Sequence, residues 1–382
     1  MTDYCNKEIL LQSLVICITF YYDPERITYL RTIIHHYIGI ASKTHIYIVT
    51  NTSNYKYIEL SLVDLPDNIF FEFITPSGIG HPFLLTWTHR EILRSVATSG
   101  KASHFLYTED DLLLGYSNIA YWMRYRGVLQ KYGLIPSFFR VEINDYKSWV
   151  STDCVSPILF SEQPKLLLEE GTLFMNMPNP YQGLYFLDVP LMEEFINSPA
   201  MSPDFGIWKI REKAAQGLTF LNIPEGYHSR NVVPIDLHQK SVSQQAWIHH
   251  LPNNYANNKN TPYGKILMEE IFCLEDDIWL EGSFYSIIYD ENLFLIIKIL
   301  KADHYGIHVH AYIKYFDERP MSIDLSIISA EQLKESLEIE YIPFSRSLFS
   351  LLDAQFIQQS EVLPTELREY EMWKAEAGNY FG

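Results

Sequence analysis

One run of residues constrains this chain more than any other: His104-Phe-Leu-Tyr-Thr-Glu-Asp-Asp111-Leu-Leu-Leu. Residues 104–107 read as a buried strand, and the strand runs directly into Glu109, Asp110 and Asp111. An unpaired charge inside a sheet is very costly. The acids must therefore lie at the strand's carboxyl end, facing solvent or a cation, and in open α/β sheets that end is where ligands bind. Glu109 and Asp111, one residue apart, can converge on a hard divalent ion whose shell substrate phosphates complete. A solvated acidic turn carries the same three letters, so the surrounding chain has to decide.

Residues 14–20 form a continuous apolar run rich in β-branched side chains, the pattern of a buried parallel strand. Asp23-Pro24 punctuates it, and residues 26–37 then repeat apolar positions at helical spacing. Residues 44–50 are a second strand, ending in the polar turn 51–54, and residues 69–74 are a third. Strand, helix, strand at this spacing predicts βαβ units and a parallel sheet. No glycine-rich dinucleotide or P-loop pattern follows the first strand. Helices are expected at 83–98, 118–132, 190–197 and 207–216, the last opened by Pro203-Asp204 and closed by Gly217. A strand is expected at 181–187. From about Met268 the texture changes to strands at hairpin spacing (284–288, 293–300, 307–316 and 322–328), with helical stretches at 331–338 and 348–358. The expectation is an α/β domain over 1–267 and a smaller α+β domain over 268–382.

With 382 residues, 47% hydrophobic and 20% charged, the chain has the composition of a packed globular protein with room for two domains. Its formal charge of −18 repels phosphate backbones and disfavours nucleic acid as a partner. The same charge means that a phosphorylated ligand needs a cation or local Arg and Lys at its site. Four cysteines without CxxC spacing fit reduced thiols in a cytoplasmic protein. No basic region precedes the first apolar run, and residues 9–20, broken by Gln12 and Ser13, are too short to span a bilayer. Membrane contact is expected to be peripheral at most.

Four further segments stand in a telling order: His81-Pro-Phe-Leu-Leu-Thr-Trp87, Tyr107-Thr-Glu-Asp-Asp111, Ile135-Pro-Ser-Phe-Phe-Arg140-Val-Glu142 and His250-Leu-Pro-Asn-Asn-Tyr255. Together they resemble GT-A-fold glycosyltransferases, with Glu-Asp-Asp standing where that superfamily carries its DxD motif. The resemblance does not extend to residues 268–382. It implies a Rossmann-like, mostly parallel sheet flanked by helices. It also implies transfer from a nucleotide-sugar donor to a glycan or glycolipid acceptor, as in polysaccharide assembly, assisted by Mn²⁺ or Mg²⁺.

By the resemblance, Asp111 is the direct metal ligand and Glu109 contacts the metal or the donor sugar and ribose, while Asp110 bonds backbone amides. Glu in place of the usual first Asp leaves that division of labour open. A late histidine ligand falls on His250, with His249 next; imidazole is a good ligand for Mn²⁺-like ions as well as for zinc. The loop that follows is expected to be mobile and to close over phosphates. The nucleotide is expected along the ends of the first two strands, at Thr19, Tyr21 and Asn51, with Arg90 and His81 as further donor-site candidates. An inverting transferase needs a base for the acceptor hydroxyl. Glu212 is favoured for it over Asp204, with Glu142 third and equally placed to pair with Arg140. A second acidic triplet, ending in Asp276-Asp277, reads as a solvated turn. Two other functions compete: a glycan-binding protein without catalysis, and a metal-dependent phosphohydrolase.

Overall fold

The structure is a computed structural model that describes residues 8–160, 162–168, 171–237, 239–273, 280–290, 293–302, 306–320, 338–345, 349, 352 and 354–375. In chain order its main elements begin with β1 (Leu11–Phe20), α1 (Ile27–His36), β2 (Ala41–Thr50) and β3 (Ile69–Ile74). They continue with α2 (His89–Thr98), β4 (His104–Glu109), α3 (Tyr116–Gln130), β5 (Phe139–Ile143) and β6 (Trp149–Ser151). Then come β7 (Leu184–Asp188), α4 (Val189–Ile196), α5 (Ile210–Ala214) and β8 (Trp247–His250).

The chain is a mixed α/β protein whose central sheet runs β7-β4-β1-β2-β3. β1 pairs in parallel with β2 and with β4, and β2 pairs in parallel with β3, while β7 closes the edge antiparallel to β4. A strand buried on both faces cannot alternate polar and apolar residues, which is why β1 is a near-continuous apolar run. α1 buries Leu30, Ile33 and Ile34, the positions its spacing marked, against this sheet. The helix expected over 83–98 is divided. Pro82–Trp87 forms a 3₁₀ turn, because the His81 ring accepts from the Phe83 amide and Pro82 sets the first position; α2 follows. A second sheet orders Leu112–Leu113, β8, β5 and β6. The acidic turn after β4 therefore leads from one sheet into the next.

Beyond these lie β9 (Ser283–Asp290), β10 (Leu293–Ala302), β11 (Gly306–Phe316), β12 (Glu338–Ser345) and β13 (Gln355–Gln359), antiparallel in the order β12-β11-β10-β9-β13. Residues 355–358, expected to be helical, are extended instead, because Gln355 and Phe356 pair with β9 and Ile357 is buried. The expected strand at 322–328, nearly all of the expected helix at 331–338 and the Asp276-Asp277 turn lie outside the described residues. Buried apolar side chains from Leu11 to Phe272 form one cluster, and two smaller ones lie within the C-terminal sheet and its flanks. Met268, Ile271 and Phe272 belong to the first cluster. Among the described residues no helix is long and apolar enough to cross a membrane.

Candidate active site

The strand order of the central sheet turns back between β1 and β4, and a crevice opens beyond their carboxyl ends, as it does at such switch points. It encloses about 400 Å³. Thr19 and Tyr21 line it from the end of β1, Arg26 from the turn before α1, and Glu109, Asp110 and Asp111 from the end of β4. Arg140 on β5, Arg211 on α5, His250 on β8 and Asn254 and Tyr255 in the following loop complete the polar wall.

The acids are not solvated. Asp110 and Asp111 are each 4% exposed. Arg26 donates through Nε to Asp110 Oδ2 at 2.9 Å, and through Nη2 to Asp110 Oδ1 and Asp111 Oδ2, both at 2.7 Å. This fork on Asp110 is the strong, bidentate kind of charged hydrogen bond. His250 joins from the other side. Its Nδ1 bonds Glu142 Oε1 at 2.5 Å, and its Nε2 lies 3.4 Å from Asp111 Oδ2. Burial opposes a charge on His250, but the carboxylates of Asp111 and Glu142 outweigh it and raise the imidazole to about 9. Burial also opposes the Asp111 charge, yet His250 and Arg26 hold its carboxyl well below the usual range. Glu109 moves the opposite way, raised first by burial and then by the Asp111 charge. Its Oε1 accepts from the Tyr181 hydroxyl at 3.3 Å.

Asp111 Oδ1 is buried and has no hydrogen-bond partner among the described residues. Among the same residues, no three His, Cys, Asp or Glu side chains are grouped so as to hold a metal ion by themselves. The fit is to an ion held by few protein atoms. The carboxylate oxygen suits Mn²⁺ or Mg²⁺, which take remaining positions from substrate phosphates and water, and the imidazole, which suits Mn²⁺ better than Mg²⁺, would bind it after giving up its Nε2 proton. Glu142 fixes the other ring nitrogen of His250, as the outer partner of a metal-bound histidine does.

Of the residues singled out from sequence, the structure brings Thr19, Tyr21, Glu109, Asp110, Asp111 and His250 into the crevice. Asp110 meets Arg26 rather than backbone amides. Asn51 stands at the margin, where its Oδ1 accepts from the Tyr22 amide at 2.7 Å. His81 is exposed and caps the Phe83 amide beside the lining residues Pro82 and Phe83. Arg90 does not reach the crevice. It is buried, donates to the carbonyls of Ala200 and Lys213, and lies 3.9 Å over the Trp87 ring. His249 bonds Asn253 Oδ1 on the opposite face of β8. None of the three base candidates lines the crevice, and Glu142 is held by His250 and the Ala256 amide. Asp204 is exposed in an irregular stretch, and Glu212 pairs with Arg211 at 3.6 Å.

The expected helix 207–216 is only Ile210–Ala214, because Trp208 packs against Tyr181 and Phe220, and the Gln216 amide folds back onto the Phe205 carbonyl. Arg140 pairs with Asp153 rather than Glu142 and lies 4.7 Å over the Tyr181 ring. The loop after β8 is tied down rather than free: Leu251 donates to the Asp111 carbonyl and Ala256 to Glu142 Oε2. Gly264 makes that fit possible, since a Cβ there would come within 2.5 Å of the Ala256 nitrogen.

Sequence reasoning passed over Arg26, Arg211 and Tyr255. Arg26 did carry a signal: it follows Asp23-Pro24 directly, in the βα turn at the ligand-binding end of β1.

No protein-family model matches the chain, and no curated protein does. Among solved structures, 4-diphosphocytidyl-2C-methyl-D-erythritol synthase from Anaerococcus prevotii aligns over 53% of this chain and 81% of its own, at 11% identity and a TM-score of 0.27. A likeness that loose assigns neither fold nor reaction.

Proposed function

We propose that this protein transfers a glycosyl group from a nucleotide-sugar donor to a glycan or glycolipid acceptor, with Mn²⁺ or Mg²⁺ held by Asp111 and His250. The observation that carries this reading is the unshared, buried Asp111 oxygen beside an oriented imidazole at the carboxyl ends of β1 and β4. Such a cation supplies charge neutralisation for a departing diphosphate. Thr19 and Tyr21 lie along the nucleoside. Arg211 faces the diphosphate, because its contact with Glu212 is too long for a hydrogen bond, whereas Arg26 and Arg140 are already closed on carboxylates. Glu109, which lines the crevice and accepts from the Tyr181 hydroxyl, takes the acceptor proton, whereas Asp204 and Glu212 lie outside the crevice.

Thermal shift with UDP, GDP and CDP, each with and without Mn²⁺, tests the reading. One of them is expected to raise the melting temperature only with the metal; no metal-dependent rise with any of the three would overturn it. Arg211→Ala should weaken that nucleotide by about 10- to 100-fold, the worth of a hydrogen bond to a charged group. Calorimetry on Glu212→Gln, expected to bind as wild type, separates the two neighbours.

We also propose that the chain divides after Cys273 rather than at residue 268, because Met268, Ile271 and Phe272 pack into the first core. Limited proteolysis should then leave an N-terminal fragment that binds the nucleotide as the whole chain does. A stable fragment that binds none would place part of the donor site in the C-terminal sheet.

A further inference from the structure

The second sheet carries different chemistry on its two faces. Neighbouring residues on a strand point to opposite sides, and the register sorts them. Trp247 lies beside Phe139, His249 beside Val141, and Trp149 beside Ile143. Trp149, Trp247 and His249 therefore share one face, while Glu142 and His250 take the other, toward the crevice. The Trp149 and Trp247 rings are 5.8 Å apart at 54°, and the His249 ring meets Trp149 edge-on at 5.2 Å. Trp149 and Trp247 line a separate hollow of about 470 Å³, whose rim carries Lys147, Ser148, Gln239, Gln244 and Glu269. Those five side chains make no hydrogen bond or ion pair among the described residues. Trp149 is 36% exposed.

We propose that this hollow is a glycan-binding subsite, which holds a part of the acceptor chain remote from the sugar being extended. A pyranose ring has apolar C–H faces and a rim of hydroxyls. Two angled indoles offer flat apolar surface to the faces, and unpaired amides, a hydroxyl and a carboxylate offer donors and acceptors to the rim, the mixture that small-molecule sites use. Lys147 and Glu269 offset each other in charge, so the hollow has no excess of cations for a diphosphate. The hollow and the crevice lie on opposite faces of one sheet and share the strand β8. Trp247 and His250 are three residues apart on β8, about 10 Å along a strand. The assignment of the bound chain as an acceptor rests on the glycosyl-transfer reading; the binding of a glycan does not.

The test uses the whole chain and three hexasaccharide probes: α-1,4-linked glucose, β-1,4-linked glucose and β-1,4-linked N-acetylglucosamine. Binding is read by tryptophan emission and saturation-transfer NMR at millimolar probe. At least one probe is expected to bind. Trp149→Ala should weaken it by roughly tenfold or more, as truncation of an aromatic anchor does. Trp149→Phe should restore most of the loss, and Gln244→Ala should weaken binding less. Mn²⁺-dependent nucleotide binding, measured in the same samples, should not change in any of the three variants. Nucleotide binding without binding of any hexasaccharide, or hexasaccharide binding that Trp149→Ala leaves intact, overturns the subsite and leaves the transferase reading standing. Trp149-dependent hexasaccharide binding in a protein that binds none of the nucleotides supports the subsite and overturns the transferase.

Discussion

Asp111→Asn is expected to abolish cation-dependent nucleotide binding, a loss of about 100-fold or more in affinity. Removing a residue that only orients a metal ligand typically costs about 10- to 100-fold, so removing the ligand's charge should reach the top of that range. The folded state should survive. Arg26 keeps both of its bonds to Asp110, and His250 keeps Glu142, so neither cation is left buried and alone. Asp110→Asn is the control. Both Asp110 oxygens are already committed to Arg26, so this change should lower the melting temperature while the response to Mn²⁺ persists. Calorimetry with Mn²⁺ and the preferred nucleotide decides. Wild-type affinity in Asp111→Asn would remove it from the cation site.

Glu109→Gln should act on chemistry instead. Positioned base catalysis contributes about 10²- to 10⁴-fold, and glutamine keeps the size of the side chain and its contact with the Tyr181 hydroxyl while it removes the base. Turnover is expected to fall by that factor, with donor affinity within about threefold of wild type, the signature of an interaction made in the transition state. Asp204→Asn and Glu212→Gln should turn over normally, since neither side chain lines the crevice. Full turnover in Glu109→Gln would show that another group takes the proton.

The central sheet was legible because burial on both faces writes itself into local sequence. β1 stands where its apolar run stands, and Glu109 ends β4 because the acids that follow need charged partners, Arg26 and His250, that the apolar sheet does not offer. The wall of the crevice was not legible, because it is made across long separations. Arg26 meets Asp110 and Asp111 from more than eighty residues away, and Glu142 meets His250 from more than a hundred. No local period reports such pairs. His250 does line the crevice, but Arg90, expected near a diphosphate from its place before the acidic strand, is held in the core against Trp87. The late helix failed for the same kind of reason. Its opening at Pro203-Asp204 and its stop at Gly217 marked residues 207–216, and the packing of Trp208 against Tyr181 and Phe220 overrode them.

The tethered loop after β8 bears on how binding energy is spent. Asn253 accepts from the Ile143 amide at 2.7 Å, Ala256 donates to Glu142, and the Lys265 ammonium holds the carbonyls of Tyr255 and Ala256. A free loop must lose conformational freedom when a ligand arrives, at about 0.5–1.5 kcal/mol for each side chain immobilised. Here the backbone on either side of Asn254 and Tyr255 is already held when the chain folds. A ligand meets a wall whose entropy has gone, so its contacts there count almost in full toward affinity. The heat-capacity change on binding should accordingly be that of the ligand's own buried surface, without the added signature of a segment folding around it.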